Sequence, residues 1–235
     1  MIISGLQKVT LLDYPGHIAC TIFFGRCNLR CPFCHNMELV TNPEHFPTFS
    51  IEEILKFLEE RKGRLNGVAI TGGEPLLNKD IAELLKPIKE LGYPIKLDTN
   101  GFFPEMIEKL IDEKLVDMFA MDIKAGWKNY LKVAGADSRG EPDWQLKLKK
   151  SISLLINKAS DYEFRTTCVK GLHTDEDFYE IKDMIKGAKK YFLQNYKAAP
   201  DMKELPFKPF YREELESFLN IVKDSVENVS IRGVD

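Results

Sequence analysis

The most continuous apolar run in the chain is Ile18-Ala19-Cys20-Thr21-Ile22-Phe23-Phe24, short and rich in β-branched and aromatic residues, which predicts a buried strand. Before it, Leu6, Val9, Leu11 and Leu12 alternate weakly over residues 1–17 and end in Asp13-Tyr14-Pro15-Gly16. There proline sets one dihedral and glycine frees the next, so a strand or hairpin should lead into the first core strand. After it, Ser50-Ile51-Glu52-Glu53 reads as a capping box. Ile51, Ile54, Leu55 and Leu58 then recur at helical spacing and predict a helix over 51–61.

The same alternation continues. Strands are predicted at 67–70, 93–98, 115–121, 162–169 and 190–195. Between them lie helices with one apolar face: one capped by Asn78, with Ile81, Leu84, Leu85 and Ile88 inward and a bend at Pro87, then 104–113, then about 143–157. Thr174 should cap another, with Phe178, Ile181, Met184 and Ile185 inward, and 211–225 is the last, burying Leu215, Phe218, Leu219 and Val222. Residues 36–49 read as a polar connection and Ala199–Pro209 as a loop. The stretch 123–142, with Gly126, Gly135, Gly140 and Pro142, reads as a long functional loop.

Six strand–helix units in succession predict parallel strands with helical crossovers, an α/β fold. A closed eight-unit barrel usually takes about 250 residues, so 235 residues fit an open, partial (β/α)6 barrel better. Residues 1–235 are expected to form a single domain, with 1–17 as an N-terminal strand or hairpin extension; no repeat or low-complexity tract interrupts it.

Charge removes some functions. A formal net charge of −3, with lysines and arginines scattered among acids, gives no case for nucleic acid as partner. No apolar run approaches the roughly 18 residues that span a membrane, and Met1-Ile2-Ile3-Ser4-Gly5 lacks an export pattern, so a cytoplasmic protein is expected. Five cysteines, an odd count, favour reduced thiols over a disulfide framework, and Cys20 and Cys168 sit in apolar runs as ordinary core residues.

The other three carry the chemistry. Cys27, Cys31 and Cys34 fall within eight residues of loop after the first strand, so their thiolates can meet on one metal group. A structural zinc site wants four protein ligands, and the nearest extras are His35, adjacent to Cys34 and badly placed, and Cys20 inside a strand. Three thiolates without a fourth suit a [4Fe–4S] cluster with one iron left open. In parallel α/β folds ligands sit at the carboxyl ends of strands, where Thr71-Gly72-Gly73-Glu74-Pro75, Asp98-Thr99-Asn100-Gly101 and Met121-Asp122-Ile123-Lys124 also fall, with Arg165 on the next strand. Paired glycines allow close backbone approach, and a carboxylate can pair with an ammonium. Asp98 and Asp122 at neighbouring strand ends would repel unless a cation or ligand ammonium lay between them.

Cys-x3-Cys-x2-Cys with Phe33 before the last cysteine resembles the signature of the radical S-adenosylmethionine enzymes, over essentially the whole chain. In that family the open iron is chelated by the amino and carboxylate groups of S-adenosylmethionine, whose reductive cleavage yields a 5′-deoxyadenosyl radical that abstracts hydrogen. The resemblance implies one [4Fe–4S] cluster on Cys27, Cys31 and Cys34, and cofactor contacts from Gly72, Gly73, Glu74, Phe33 and His35. The segments at 98–99 and 122 are similar to those of the glycyl-radical-enzyme activases, where such residues surround the cofactor and, in some members, a monovalent cation. Lys124 and Arg165 would meet the methionyl carboxylate or the partner. Asp13-Tyr14-Pro15-Gly16 is similar to the Asp-Gly-Pro-Gly of pyruvate formate-lyase activase, where the aspartate lies near the incoming glycyl loop, which implies partner binding by Asp13. Tyr14 departs from that pattern, and with Cys34-His35-Asn36 it resembles the activating proteins of anaerobic ribonucleoside-triphosphate reductase. The implied protein is an activase of a glycyl-radical enzyme, with flavodoxin or ferredoxin as electron donor. The alternatives are pyruvate formate-lyase as partner, a small molecule or peptide as substrate, or a metal-binding module without catalysis.

Overall fold

The computed structural model describes residues 1–136, 142–198 and 206–234. Its strands are β1 (Ile3–Thr10), β2 (Ala19–Phe24), β3 (Gly67–Gly72), β4 (Ile95–Thr99), β5 (Met118–Asp122), β6 (Tyr162–Cys168), β7 (Ala188–Asn195) and β8 (Val226–Arg232). They pair in sequence order in one eight-stranded sheet; β1 runs antiparallel to β2, and every later pair is parallel. Helices α1 (Met37–Thr41), α2 (Ile51–Glu60), α3 (Ala82–Glu90), α4 (Pro104–Asp112), α5 (Tyr130–Ala134), α6 (Trp144–Lys158), α7 (Asp175–Met184) and α8 (Arg212–Val222) lie between the strands. Among the described residues no pairing joins β8 to β1, so the barrel is open.

The six expected core strands are β2–β7, and β8 adds a seventh parallel strand beyond the last predicted helix. Two segments read as irregular contain short helices: α1 in the polar connection, α5 in the stretch 123–142. Of that stretch, 137–141 with Gly140 lie outside the described residues, as do 199–205 of the Ala199–Pro209 loop. Asn78 does not cap α3, which starts at Ala82; its amide folds back onto the Pro75 carbonyl at 3.0 Å and ends a 3-10 turn. Ser50 and Glu53 do form their reciprocal cap, at 3.1 and 2.8 Å.

Alternation along the strands separates two interiors. Ile22, Phe24, Val68, Ile70, Leu97, Phe119, Met121 and Phe164 are buried in the core that also includes helix residues such as Leu58, Leu85 and Ile107. Residues of the opposite parity, Lys96, Asp98, Glu163, Arg165, Gln194 and Arg232, line the inside of the barrel. The buried Glu163 is met there by a fork of two bonds from Arg232, at 3.1 and 3.0 Å. No described helix is long and apolar enough to cross a membrane.

Candidate functional site at the strand ends

The cysteine loop takes its path from the way β2 and β3 end side by side. The Gly73 N–H donates to the Phe24 carbonyl at 2.7 Å, and the Glu74 N–H to the Arg26 carbonyl at 2.9 Å. A Cβ on Gly73 would stand 1.8 Å from the Arg26 oxygen, and one on Gly72, at φ +118, 2.4 Å from the Phe24 oxygen. The close approach expected of these glycines is therefore first of all to the chain's own backbone. Locked in this way, Arg26 takes φ 66, a left-handed conformation that costs a residue with a Cβ roughly 1–2 kcal/mol. Because its side chain is exposed, Arg26→Gly should leave the melting free energy within about 0.5 kcal/mol of wild type, glycine's own entropic cost offsetting the relief. Arg26→Val should be less stable than wild type by chemical denaturation, because a β-branched residue fits the left-handed region worse than arginine does.

Cys27, Cys31 and Cys34 are free thiols and share one pocket, about 810 Å³ counting the space open to solvent at its mouth. The remaining walls come from the ends of β3, β4, β5 and β6. The loop rests on the end of α5: the Arg30 N–H and the Cys31 thiol both donate to the Ala134 carbonyl, at 3.1 and 3.4 Å. Gly135, left-handed at φ +60, fits under Arg30, where a Cβ would meet the Arg30 oxygen at 1.9 Å. Burial pushes the Cys27 thiol up to about 12 and raises Cys31 as well, so both ionise only beside a positive centre. Among the described residues no three His, Cys, Asp or Glu side chains converge on a single metal ion.

Opposite the thiols stands a network of charge. Arg165 donates from Nη1 to Asp98 at 3.2 Å and from Nε to Asp122 at 3.0 Å, Lys124 pairs with Asp122 at 2.9 Å, and Lys96 pairs with Asp98. The two aspartates are thus bridged by the chain's own guanidinium, where repulsion had called for a bound cation or ammonium. Burial alone would raise both carboxyls, but Arg165 with Lys96 holds Asp98 below the carboxylate range, and Arg165 with Lys124 brings Asp122 to about 2. Of these cations, Lys124 and Arg165 line the thiol pocket, together with Asp98, Asp122 and Glu74, while Lys96 lines the second cavity. Glu74 is buried and pushed up to about 7 by desolvation, although it accepts bonds from Asn100 N–H at 2.7 Å, Thr99 Oγ1 at 2.9 Å and Leu76 N–H at 3.1 Å.

The remaining expected residues are divided between two cavities. Phe33 is buried on the pocket wall, edge-on to His173, and His35 borders the same pocket while its Nε2 bonds the Lys197 carbonyl at 2.5 Å and its ring stacks on Tyr196. Asp13 lies elsewhere. It accepts from Thr21 Oγ1 at 2.5 Å at the amino ends of the strands and lines a second cavity, of about 1060 Å³ on the same measure, with Leu11, Leu12, Lys96 and Gln194. Asp98 and Arg165 border both cavities. Sequence reasoning placed Asn100 at a strand end without giving it a role of its own and passed over Ala134; their partners are 72 and 103 positions away.

A partial parallel barrel with three thiols on the loop after its first parallel strand, facing buried charges at the next strand ends, defines a redox-cofactor site rather than a simple hydrolytic one. The Radical SAM superfamily model matches residues 21–185. A Methanocaldococcus jannaschii protein, named by inference a glycyl-radical enzyme activating enzyme, is 33% identical over 239 residues, spanning 100% of this chain and 97% of its own. The pyruvate formate-lyase-activating enzyme of Clostridium pasteurianum is 32% identical over 66% of this chain and 65% of its own length. Among solved structures, Streptococcus suis SuiB bound to S-adenosylmethionine shares the fold at TM-score 0.66 and 19% identity, over 91% of this chain and 52% of that one. The chain belongs to the radical S-adenosylmethionine superfamily and is an enzyme of the glycyl-radical enzyme activating type.

Membership implies a [4Fe–4S] cluster and S-adenosylmethionine, and the residues present fit both. The donor set is three buried or half-buried free thiols, the other two cysteines being buried in the core, and Asn28 Nδ2 is a buried donor without a partner among the described residues.

Proposed function

We propose that this enzyme generates the glycyl radical of an anaerobic ribonucleoside-triphosphate reductase. When bound, the cluster and S-adenosylmethionine supply one-electron cleavage of a sulfonium bond and abstraction of a hydrogen atom, here from a glycine Cα. The chain's part is to bind, orient and exclude water. Cys27, Cys31 and Cys34 hold the cluster, and Phe33 dries its loop. Gly72, Gly73, Glu74, Asp98, Thr99 and Asp122 orient S-adenosylmethionine, with His35 at the pocket edge. Lys124 and Arg165 meet the methionyl carboxylate. Asp13 contacts the glycyl segment of the partner, and flavodoxin or ferredoxin delivers the electron. A monovalent cation is left out of the reading, because Arg165 already spans Asp98 and Asp122.

The observation that carries the reading is that three free thiols share one pocket with two cations, Lys124 and Arg165, and three carboxylates, Glu74, Asp98 and Asp122, which suits a zwitterionic ligand with an ammonium and a carboxylate beside a cluster. The Tyr14 and Cys34-His35-Asn36 pattern supports the reductase as partner. The test is anaerobic reconstitution, reduction and incubation with purified glycyl-radical enzymes. A protein-radical doublet on the ribonucleotide reductase is expected; a doublet only on another enzyme, such as pyruvate formate-lyase, moves the partner, and none on any moves the substrate. A small-molecule substrate is the second reading, favoured by 28% identity over 163 residues to the 7-carboxy-7-deazaguanine synthase of Halobacterium salinarum.

A further inference from the structure

We propose that Asn100 is a positioning residue for Cys27 and that Glu74 acts by holding Asn100, so that the glycine-rich turn after β3 and the first thiol of the cysteine loop are joined through one side-chain amide. The proposal rests on the reading of Cys27 as a cluster ligand. Asn100 follows β4 and is buried, and the Phe102 N–H assigns the orientation of its amide. Its Oδ1 accepts from the Phe102 N–H at 3.1 Å, which leaves both Nδ2 hydrogens for the cysteine loop. One goes to Asn28 Oδ1 at 2.7 Å, and the other faces Cys27 Sγ at 3.7 Å.

Glu74 is the anchor of this amide. Its Oε2 takes the Asn100 backbone N–H, and its Oε1 takes Thr99 Oγ1 and the Leu76 N–H. Two of these bonds go to Thr99 and Asn100 and the third to Leu76 in the 3-10 turn that Glu74 itself opens, so besides facing the pocket the carboxylate serves the site through Asn100. Asn28 completes the arrangement: its Oδ1 accepts from Asn100 and, at 3.8 Å, from the Cys27 thiol, while its Nδ2 is buried and has no partner among the described residues. A thiolate that carries iron is oriented by its outer hydrogen bonds, and donors aimed at cluster sulfurs stabilise the reduced state. The relay therefore sets both the direction of Cys27 and the ease with which the cluster accepts its electron.

The test reads the cluster before any S-adenosylmethionine is added, where a role for Glu74 as a direct ammonium partner has no effect. Wild type, Asn100→Asp, Asn28→Ala, Glu74→Ala and the Asn100→Asp/Glu74→Ala double variant are reconstituted anaerobically, and their midpoint potentials and paramagnetic resonance g-values are compared. Asn100→Asp keeps the acceptor for Phe102 and replaces the two donors by an oxygen. It should move the potential to more negative values, change the g-values and weaken cluster retention against a chelator on the order of 10- to 100-fold. Asn28→Ala, which removes the acceptor that holds one Asn100 Nδ2 hydrogen, should also change the potential and g-values. Glu74→Ala should do so too, and the double variant should shift no further than Asn100→Asp alone, because the two residues act in one line. An Asn100→Asp protein with wild-type potential and g-values overturns the proposal, and additive shifts in the double variant remove Glu74 from it. A wild-type protein that takes up no cluster overturns the proposed function, and this inference with it.

Discussion

Gly73→Ala is expected to leave a protein that folds poorly and fails to hold its cluster. The new methyl would have to occupy space 1.8 Å from the Arg26 carbonyl oxygen, and that oxygen belongs to backbone, which no side-chain rotation can move aside. To make room, the ends of β2 and β3 must separate, which breaks the bonds from Gly73 N–H to Phe24 and from Glu74 N–H to Arg26. Overpacking of this kind costs about 3 kcal/mol. The displaced segment is the root of the cysteine loop, so iron content after reconstitution should fall at least about tenfold, as it does when outer supports of a metal site are lost. Iron per chain and a urea denaturation curve check both parts. A Gly73→Ala protein with full iron content would show that the cysteine loop does not depend on this contact.

The second large effect is expected from Arg165→Met. The guanidinium is the only group bonded to both Asp98 and Asp122 among the described contacts, and each aspartate keeps a single lysine when it is gone. Removing one partner of a buried ion network leaves charge uncompensated and costs about 3 kcal/mol or more. The pH dependence gives the sign. In the wild type Asp122 is held at about 2, below the roughly 3.9 of an unfolded aspartate, so its contribution is fully present above about pH 4 and disappears as the pH falls toward 2. In Arg165→Met both carboxyls rise, and acid unfolding should begin at a higher pH than in wild type. Circular dichroism between pH 2 and 7 reads the displacement; coincident acid transitions would count against this assignment of the network.

Much of the architecture could be read from the chain because strands β2–β7 are short, β-branched runs separated by amphipathic helices. β8 escaped because it is an edge strand: within Val226-Glu227-Asn228-Val229-Ser230-Ile231-Arg232 only Val226 is fully buried, and the alternation is blurred. α5 escaped because five residues next to a glycine leave no periodic signal, although its last carbonyl supports the cysteine loop. The strand-end rule located most of the candidate site, since parallel strands deliver their loops to one end of the barrel. Pairing within the site was not legible. Arg165 could be marked as a cation near the ligand, but its position between Asp98 and Asp122 depends on the register of β4, β5 and β6, which joins residues 43 and 67 positions apart. Asn100 lies in a strand-end segment expected to meet the cofactor, but its pairing with a loop 72 positions earlier was hidden in the same way.

The two cavities meet at Asp98 and Arg165, one beneath the cysteine loop and one beside Asp13. A polypeptide that reaches Asp13 and a cofactor held beside the thiols would then meet across one shared pair of side chains, and loading S-adenosylmethionine should change the dissociation constant of the polypeptide.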